Sequence, residues 1–145
     1  MKALIQRVSS ARVEVDGEIV GAIERGLLVL LGVEKDDGEN QVARMAERLL
    51  SYRVFPDSEN RMNCSVVDIG GAVLIVSQFT LAADTKKGTR PSFSSAAVPE
   101  IAEMLYEKLV SVLRESNLPV ATGRFGADMQ VHLVNDGPVT FLLES

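Results

Sequence analysis

The sequence predicts a layered α/β domain, with two main helices covering one side. Three observations carry this. Two segments repeat apolar residues at helical spacing, some seven short segments read as strands, and the two kinds alternate along the chain in mixed order. At 145 residues the chain fits a single domain, residues 1–145, long enough to bury a core.

The elements follow in order. Val13 and Val15 alternate with Arg12 and Glu14, Asp16-Gly17 supplies the two positive-φ positions of a tight hairpin, and Glu18-Ile19-Val20 returns. Gly26 opens Leu27-Leu28-Val29-Leu30-Leu31, an unbroken apolar run suited to a strand covered on both faces. Asp36-Asp37-Gly38-Glu39 places negative charge where a helix N-terminus favours it. Val42, Met45, Ala46, Leu49 and Leu50 follow at helical spacing, and Pro56 closes the segment. Strands resume with Ser65-Val66-Val67, a Gly70-Gly71 turn, and the apolar strand Ala72 to Val76, which runs directly into Ser77-Gln78-Phe79-Thr80. From Ala82 to Ser95 the chain is polar, with Gly88 and Pro91 breaking any period, so this is a loop. Pro99 and Glu100 begin a second helix, whose apolar stripe is Ile101, Met104, Leu105, Leu109 and Val112, ending near Leu118-Pro119. Met129, Val131 and Leu133 alternate with Gln130, His132 and Val134 in one strand, and Val139 to Leu143 forms another after Asp136-Gly137-Pro138.

Composition narrows the classes of function. The residues are 46% hydrophobic and 24% charged, an ordinary globular balance. No apolar run approaches the roughly 20 residues of a membrane-spanning helix, so no membrane partner is expected. The N-terminus, Met1 to Arg7, meets charge too soon for a secretory signal. The single cysteine, Cys64, cannot form an internal disulfide and fits a reducing compartment, so the expectation is a cytoplasmic protein. The net charge of −5 argues against a broad nucleic-acid footprint but permits recognition of one RNA end through local positive charge.

Most routine catalytic patterns are absent. There is no paired-cysteine zinc spacing, no histidine–glutamate helical pair and no phosphate loop, so neither metal nor cofactor is expected. A cysteine nucleophile would need Cys64 to meet His132, and a serine triad would also have to use His132. Single cysteines and histidines are more often structural.

Three polar features remain. Ser77, Gln78 and Thr80 follow five apolar residues, at a strand end where released backbone N–H groups could bind a ligand or a developing oxyanion. On the bare residues, a polar terminus bonding its own turn is the favoured alternative. Lys86, Lys87 and Arg90 stand among Thr85, Gly88 and Thr89, either a phosphate-binding patch or a solvated loop. Asn135-Asp136-Gly137-Pro138-Val139-Thr140 contains an Asp-Gly turn signal, but Pro138 removes a donor where the next strand should begin pairing. A cis Gly-Pro bond there would fix two carbonyl oxygens in one direction; the tip is either a turn or a rigid sensor of substrate.

Together these segments resemble the D-aminoacyl-tRNA deacylases, the D-Tyr-tRNA deacylase family. The resemblance is carried by Ser77-Gln78-Phe79-Thr80-Leu81, Arg90-Pro91-Ser92-Phe93 and Asn135 to Thr140, with Gln6-Arg7-Val8, Gly123-Arg124-Phe125 and Ala127-Asp128-Met129 in support. It covers essentially the whole chain and implies the family's deacylase-like fold, a layered α/β/β domain of two mixed β-sheets with two main helices on one side. It further implies hydrolysis of the ester of D-aminoacyl-tRNA, and of glycine mischarged on tRNA-Ala, by a homodimer with active sites at the subunit boundary. Ser77, Gln78, Phe79 and Thr80 would line the pocket for the aminoacylated 3′-adenosine. Gly137-Pro138 of the other subunit would enter with a cis bond, hold the α-amino group and reject L side chains. In this reading backbone N–H groups near Phe79 and Thr80 supply the acceleration, because nothing in the sequence provides a base for Thr80. Phe125 and Met129 would flank the adenine or belong to the core, Lys86, Lys87 and Arg90 would meet acceptor-end phosphates, and Arg7 would brace the Gly-Pro tip. Two rivals stand beside it: a dimeric nucleic-acid binding module without turnover, and a hydrolase of free D-amino-acid esters or peptides.

Overall fold

The computed structural model describes residues 1–145. In chain order the elements are β1 (Lys2–Val15), β2 (Glu18–Ile23), β3 (Gly26–Gly32), α1 (Glu39–Ser51), β4 (Phe55–Pro56) and β5 (Met62–Cys64). They continue with β6 (Ala72–Ser77), a 3₁₀ turn (Phe79–Ala82), α2 (Pro99–Arg114), β7 (Val120–Thr122) and β8 (Gln130–Glu144). The main sheet has the order β2-β1-β3-β6-β7, with β8 paired to β1; β4 and β5 form a separate small ribbon. β3, β6 and β7 are mutually parallel, whereas β1 is antiparallel to β2, β3 and β8.

β1 organises the sheet. β2 and β3 follow it back as one bent arm, with Ala11 opposite Ile23 and Val8 opposite Gly26. At the tip, Asp16 and Gly17 have φ of 50° and 78°, the two positive values that the Asp-Gly dipeptide predicts.

Two cores explain the unbroken apolar runs. Leu27, Val29 and Leu31 of β3, with Val73 and Ile75 of β6, join the core that holds the buried faces of α1 and α2. Leu28, Leu74 and Val76 project the other way, into a second core with Val8, Ala11, Val13, Val15 and Ile23. Each such side chain contributes about 1.5–3 kcal/mol on burial, more than the ~1 kcal/mol span of β propensities, so packing on both faces holds these strands. The layers are therefore α/β/β. β1 gives Ala3 and Ile5 to the first core and Val8, Ala11, Val13 and Val15 to the second, and its register with β8 shifts where it changes layer.

The helix α1 buries Val42, Met45, Ala46 and Leu49, and the Gly38 N–H donates to Gln41 Oε1 at 2.9 Å at its start. Asp37 stands just before the helix. Its carboxylate accepts from the Glu34 N–H and from the Met1 amino group, both at 2.7 Å, tying the entrance of α1 to β1.

Four local expectations are corrected. The buried face of α2 is Ala102, Leu105, Tyr106, Leu109, Val110 and Leu113, whereas Ile101 and Met104 are 40% and 55% exposed. Apolarity favours Ile and Met over Ala and Tyr, but contact with the sheet selects the face with a small residue and a tyrosine whose hydroxyl finds a partner. Second, Asp136-Gly137-Pro138 does not turn the chain between two strands. It is an irregularity inside the single strand β8, both halves of which pair with β1, as Pro138 without an N–H permits. Third, the strand before Gly70 is Met62–Cys64; Ser65-Val66-Val67 is a turn in which Ser65 N–H donates to Asp68 Oδ2 and Asp68 N–H to Ser65 Oγ. Fourth, α1 ends at Ser51, and Pro56 belongs to β4. The strands number eight. No helix is long and apolar enough to cross a membrane.

Candidate active site

Parallel strands β3 and β6 end side by side, and a cavity of about 730 Å³ opens at their C-terminal ends, where parallel sheets commonly place ligands. Its walls come from Leu31 and Val33 at the end of β3, Val76 to Phe79 at the end of β6, Phe93 and Ala96 to Pro99 leading into α2, Ala102 and Tyr106 on α2, and Phe125 to Ala127 with Met129 and Val131. The lining is mostly apolar, as a site for a ring system requires. Phe79, 60% exposed, leans on Phe93 at its mouth with ring centroids 5.3 Å apart.

The polar chemistry is concentrated in the turn after β6. Gln78 N–H still pairs with Leu31 O at 2.7 Å, and then the chain tightens into the 3₁₀ turn, with Leu81 N–H on Gln78 O and Ala83 N–H on Thr80 O. Such a turn leaves the N–H groups of its first residues, Phe79 and Thr80, without partners inside it. The Gln78 side-chain amide donates to Thr80 Oγ1. Close seating of the turn depends on Gly32, because a Cβ there would stand 2.9 Å from Leu81 Cβ and 3.2 Å from Gln78 O.

The opposite wall is fixed by a sulfur. Arg124 N–H donates to Met129 Sδ at 3.4 Å, and a Cβ on Gly123 would approach that sulfur to 2.7 Å. Phe125 packs its ring 5.8 Å from that of Tyr106, tilted by 50°. The Tyr106 hydroxyl donates to Ile75 O at 2.9 Å, and burial pushes its phenol up to about 12.

Thus Ser77, Gln78, Phe79, Phe125 and Met129 line one cavity, and Thr80 stands in the same turn. Gly137, Pro138 and Arg7 form a second, separate cluster and do not line it. There Arg7 Nε donates to Asp136 O at 2.9 Å and Nη1 to Val54 O at 2.8 Å. Val139 N–H donates to Asn135 Oδ1, and Asn135 Nδ2 to Thr140 Oγ1, closing the tip on itself. The Gly137–Pro138 bond is cis. Lys86, Lys87 and Arg90 are exposed on the loop and outside the cavity. His132 meets Glu14 at 3.4 Å, Cys64 pairs with Phe55 across the β4–β5 ribbon, and neither lines the cavity. No group of three or more His, Cys, Asp or Glu residues converges as a metal site would need. Sequence reasoning missed Tyr106; its only signal was a tyrosine at i+4 from Ala102 and i−3 from Leu109, on the face that proved buried. A second cleft, about 580 Å³ between Ala22–Arg25 and Pro119–Ala121, gathers little polar chemistry.

Fold and cavity together define a three-layer α/β/β domain with an apolar ligand pocket and free backbone donors at a parallel-strand terminus. Residues 4–144 match the family described as D-Tyr-tRNA(Tyr) deacylase, and the chain belongs to that family. It is 67% identical to the D-aminoacyl-tRNA deacylase of Pseudomonas aeruginosa (strain LESB58) over 145 residues, 100% of both chains. It is 66% identical to that of Methylococcus capsulatus (strain ATCC 33009 / NCIMB 11132 / Bath) over 143 residues, 99% of this chain and 94% of that one. Among solved structures, one named c-Myc DNA Unwinding Element Binding Protein superposes with a TM-score of 0.95 at 44% identity, covering 100% of this chain and 99% of that one. A probable eukaryotic D-amino acid tRNA deacylase shares the fold, with a TM-score of 0.86 at 16% identity, covering 99% and 98%.

Proposed function

We propose that this protein hydrolyses the ester of D-aminoacyl-tRNA in the cytoplasm, releasing the D-amino acid and tRNA, and that it clears glycine from tRNA-Ala as well. The observation that carries the reading is the turn after β6, two backbone N–H groups without partners in the turn at the rim of an apolar pocket, in a chain whose full-length relatives are D-aminoacyl-tRNA deacylases. An aminoacyl ester is already activated, so a placed water and donors to the developing oxyanion suffice. Water adds to the carbonyl carbon, the N–H groups of Phe79 and Thr80 bind the oxyanion, and as the carbonyl re-forms its bond to the ribose oxygen breaks, that oxygen taking the proton the water gives up. Phe125 and Met129 flank the adenine, and Lys86, Lys87 and Arg90 lie toward the acceptor-end phosphates.

Chirality is read by a second copy of the chain. In the homodimer, Gly137-Pro138 of one subunit enters the pocket of the other, holds the α-amino group by its carbonyl oxygens and excludes an L side chain. Glycine has nothing to exclude and is cleaved. Two observations support a shared site: the tip stands outside the lining of its own chain's pocket, and Val98 of that lining is exposed, followed on α2 by the exposed Ile101 and Met104. Arg7 holds the tip in shape through Asp136 O.

The test is hydrolysis of matched D-Tyr-tRNA and L-Tyr-tRNA by the purified protein. Loss of the D ester alone supports the reading. Cleavage of both retains the esterase and removes the Gly-Pro selection step. Cleavage of neither by folded protein favours a binding role, for which the 44%-identical neighbour's DNA-related name offers a precedent. Mixing a Gly137→Ala chain with a Phe125→Asp chain tests the shared site, because only a cross-subunit arrangement restores activity to the mixture.

A further inference from the structure

Given the deacylase activity proposed for the cavity, we infer that Tyr106 is a positioning residue that sets how tightly the terminal adenosine is held, through the carbonyl of Ile75. That carbonyl is a junction. It accepts from Gly123 N–H at 3.0 Å and from the Tyr106 hydroxyl at 2.9 Å. Three chain segments therefore meet on one oxygen: β6 two residues before Ser77, the segment that carries Phe125 and Met129, and helix α2. These segments also supply most of the cavity wall.

The hydroxyl is committed to this bond. Burial holds the phenol protonated well above neutral pH, so it remains a donor. The ring takes the other part of the task, standing behind Phe125 at 5.8 Å and fixing the side chain against which the base would lie. Arg114 adds a second tie between α2 and β7, with Nη2 donating to Val120 O at 3.5 Å, but that bond lies away from the cavity. Tyr106 is thus the tie from α2 that acts on the pocket itself: its ring belongs to the wall beside Phe125, and its hydroxyl acts through the Ile75–Ser77 strand end.

The effect of removing the hydroxyl falls on binding more than on turnover, because the Phe79 and Thr80 donors belong to a turn held separately by Leu31 and Gly32. For Tyr106→Phe, loss of one buried hydrogen bond corresponds to a rise of about three- to tenfold in KM for D-Tyr-tRNA. The inhibition constant of free adenosine should rise by a similar factor, with kcat little changed. A purely structural role would lower the melting temperature and the active fraction while leaving KM and adenosine inhibition as in the parent, and that result would overturn the inference.

A measurement on the unmutated protein covers the case of a variant that fails to fold. The chain has two tyrosines, Tyr52 and Tyr106, so 3-fluorotyrosine labelling gives two fluorine resonances. Saturating adenosine should shift the Tyr106 signal and leave Tyr52 in place; inhibition by adenosine without a Tyr106 shift would overturn the inference. If the parent protein cleaves no D-aminoacyl-tRNA, the functional reading falls and this role falls with it. If the parent is active and Tyr106→Phe matches its KM, only the role of Tyr106 falls.

Discussion

In the turn after β6 the Gln78 side-chain amide donates to the Thr80 hydroxyl oxygen, so the one hydroxyl in that turn receives a proton donor. A nucleophile needs the opposite arrangement, a base accepting its proton. The lone histidine is engaged with Glu14 outside the cavity and cannot supply that base. Thr80→Ala should therefore keep D-ester hydrolysis within about tenfold of the parent, the scale of one lost hydrogen bond, whereas removing a true nucleophile costs about 10⁴–10⁶ in kcat. Single-turnover rates on D-Tyr-tRNA separate these outcomes by orders of magnitude, and a loss of the larger size with binding intact would restore Thr80 as a nucleophile.

Gly137 stands at φ +135°, and a Cβ there would lie 2.7 Å from Val139 Cγ2 and 2.9 Å from Arg7 Nη2. Both neighbours belong to the tip's own packing, so Gly137→Ala must displace both. We expect D-ester cleavage to fall by roughly tenfold or more, since even about 1 Å of misplacement can cost 10²-fold. The ratio of D to L cleavage should fall as well. Parent-like rates and selectivity in this variant would remove the tip from the site.

The difference between what the residues announced and what they concealed has a physical pattern. Unbroken apolar runs located β3 and β6, and period-3.6 signals located both helices, because those elements bury two faces or one by packing alone. The face of α2 was misjudged because Tyr106 is buried by virtue of its hydroxyl's partner on another element, and a hydropathy pattern carries no such information. Asp136-Gly137 looked like a hairpin because turn chemistry is local, whereas continuity of β8 is decided by the long partner β1. The Ser77–Thr80 cluster was legible as a strand end, and its juxtaposition with Phe125 and Met129 is a matter of topology: β7 lies beside β6. Gly32 gave no signal at all, since close backbone approach leaves only a missing side chain.

Gly32→Ala tests that silent approach. Its Cβ would meet Leu81 Cβ at 2.9 Å and Ala82 N at 3.3 Å, atoms of the turn that cannot rotate aside. The turn must shift by tenths of an ångström, carrying the Phe79 and Thr80 N–H groups off the oxyanion position. We expect kcat to drop by about ten- to a hundredfold with KM changed far less, beside a stability loss of about 1–3 kcal/mol from overpacking. Parent-like kcat with lowered stability would show that the turn adjusts without loss of its donors.

Alkaline titration gives a further prediction. The folded protein raises the Tyr106 phenol from its ordinary 10.0 to about 12, chiefly by burial. A raised folded value means that the protonated form is favoured in the fold. The associated stability is full below pH 10 and is lost as pH climbs toward 12. Melting temperatures of the parent should thus fall more steeply over that window than those of Tyr106→Phe, which has no proton to lose. Parallel curves would mean that Tyr106 titrates alike in the folded and unfolded chain.

The loop carrying Lys86, Lys87 and Arg90 is shaped from within, by Asp84 and Ser92 exchanging backbone bonds at 2.8 and 2.9 Å and by Lys86 N–H on Asp84 Oδ1. Its three cations are left exposed, outside the cavity, on a chain of net charge −5. If they meet acceptor-end phosphates, replacing all three by serine should raise KM for D-Tyr-tRNA. The slope of log KM against log salt should also flatten by about 0.7–0.9 for each phosphate that the protein no longer neutralises. Hydrolysis of a minimal D-tyrosyl-adenosine ester, which has no phosphate for the loop to meet, should be unaffected. An equal loss on both substrates would instead make the loop a support for Phe93 and the pocket mouth, and a loss on neither would leave it a solvated loop.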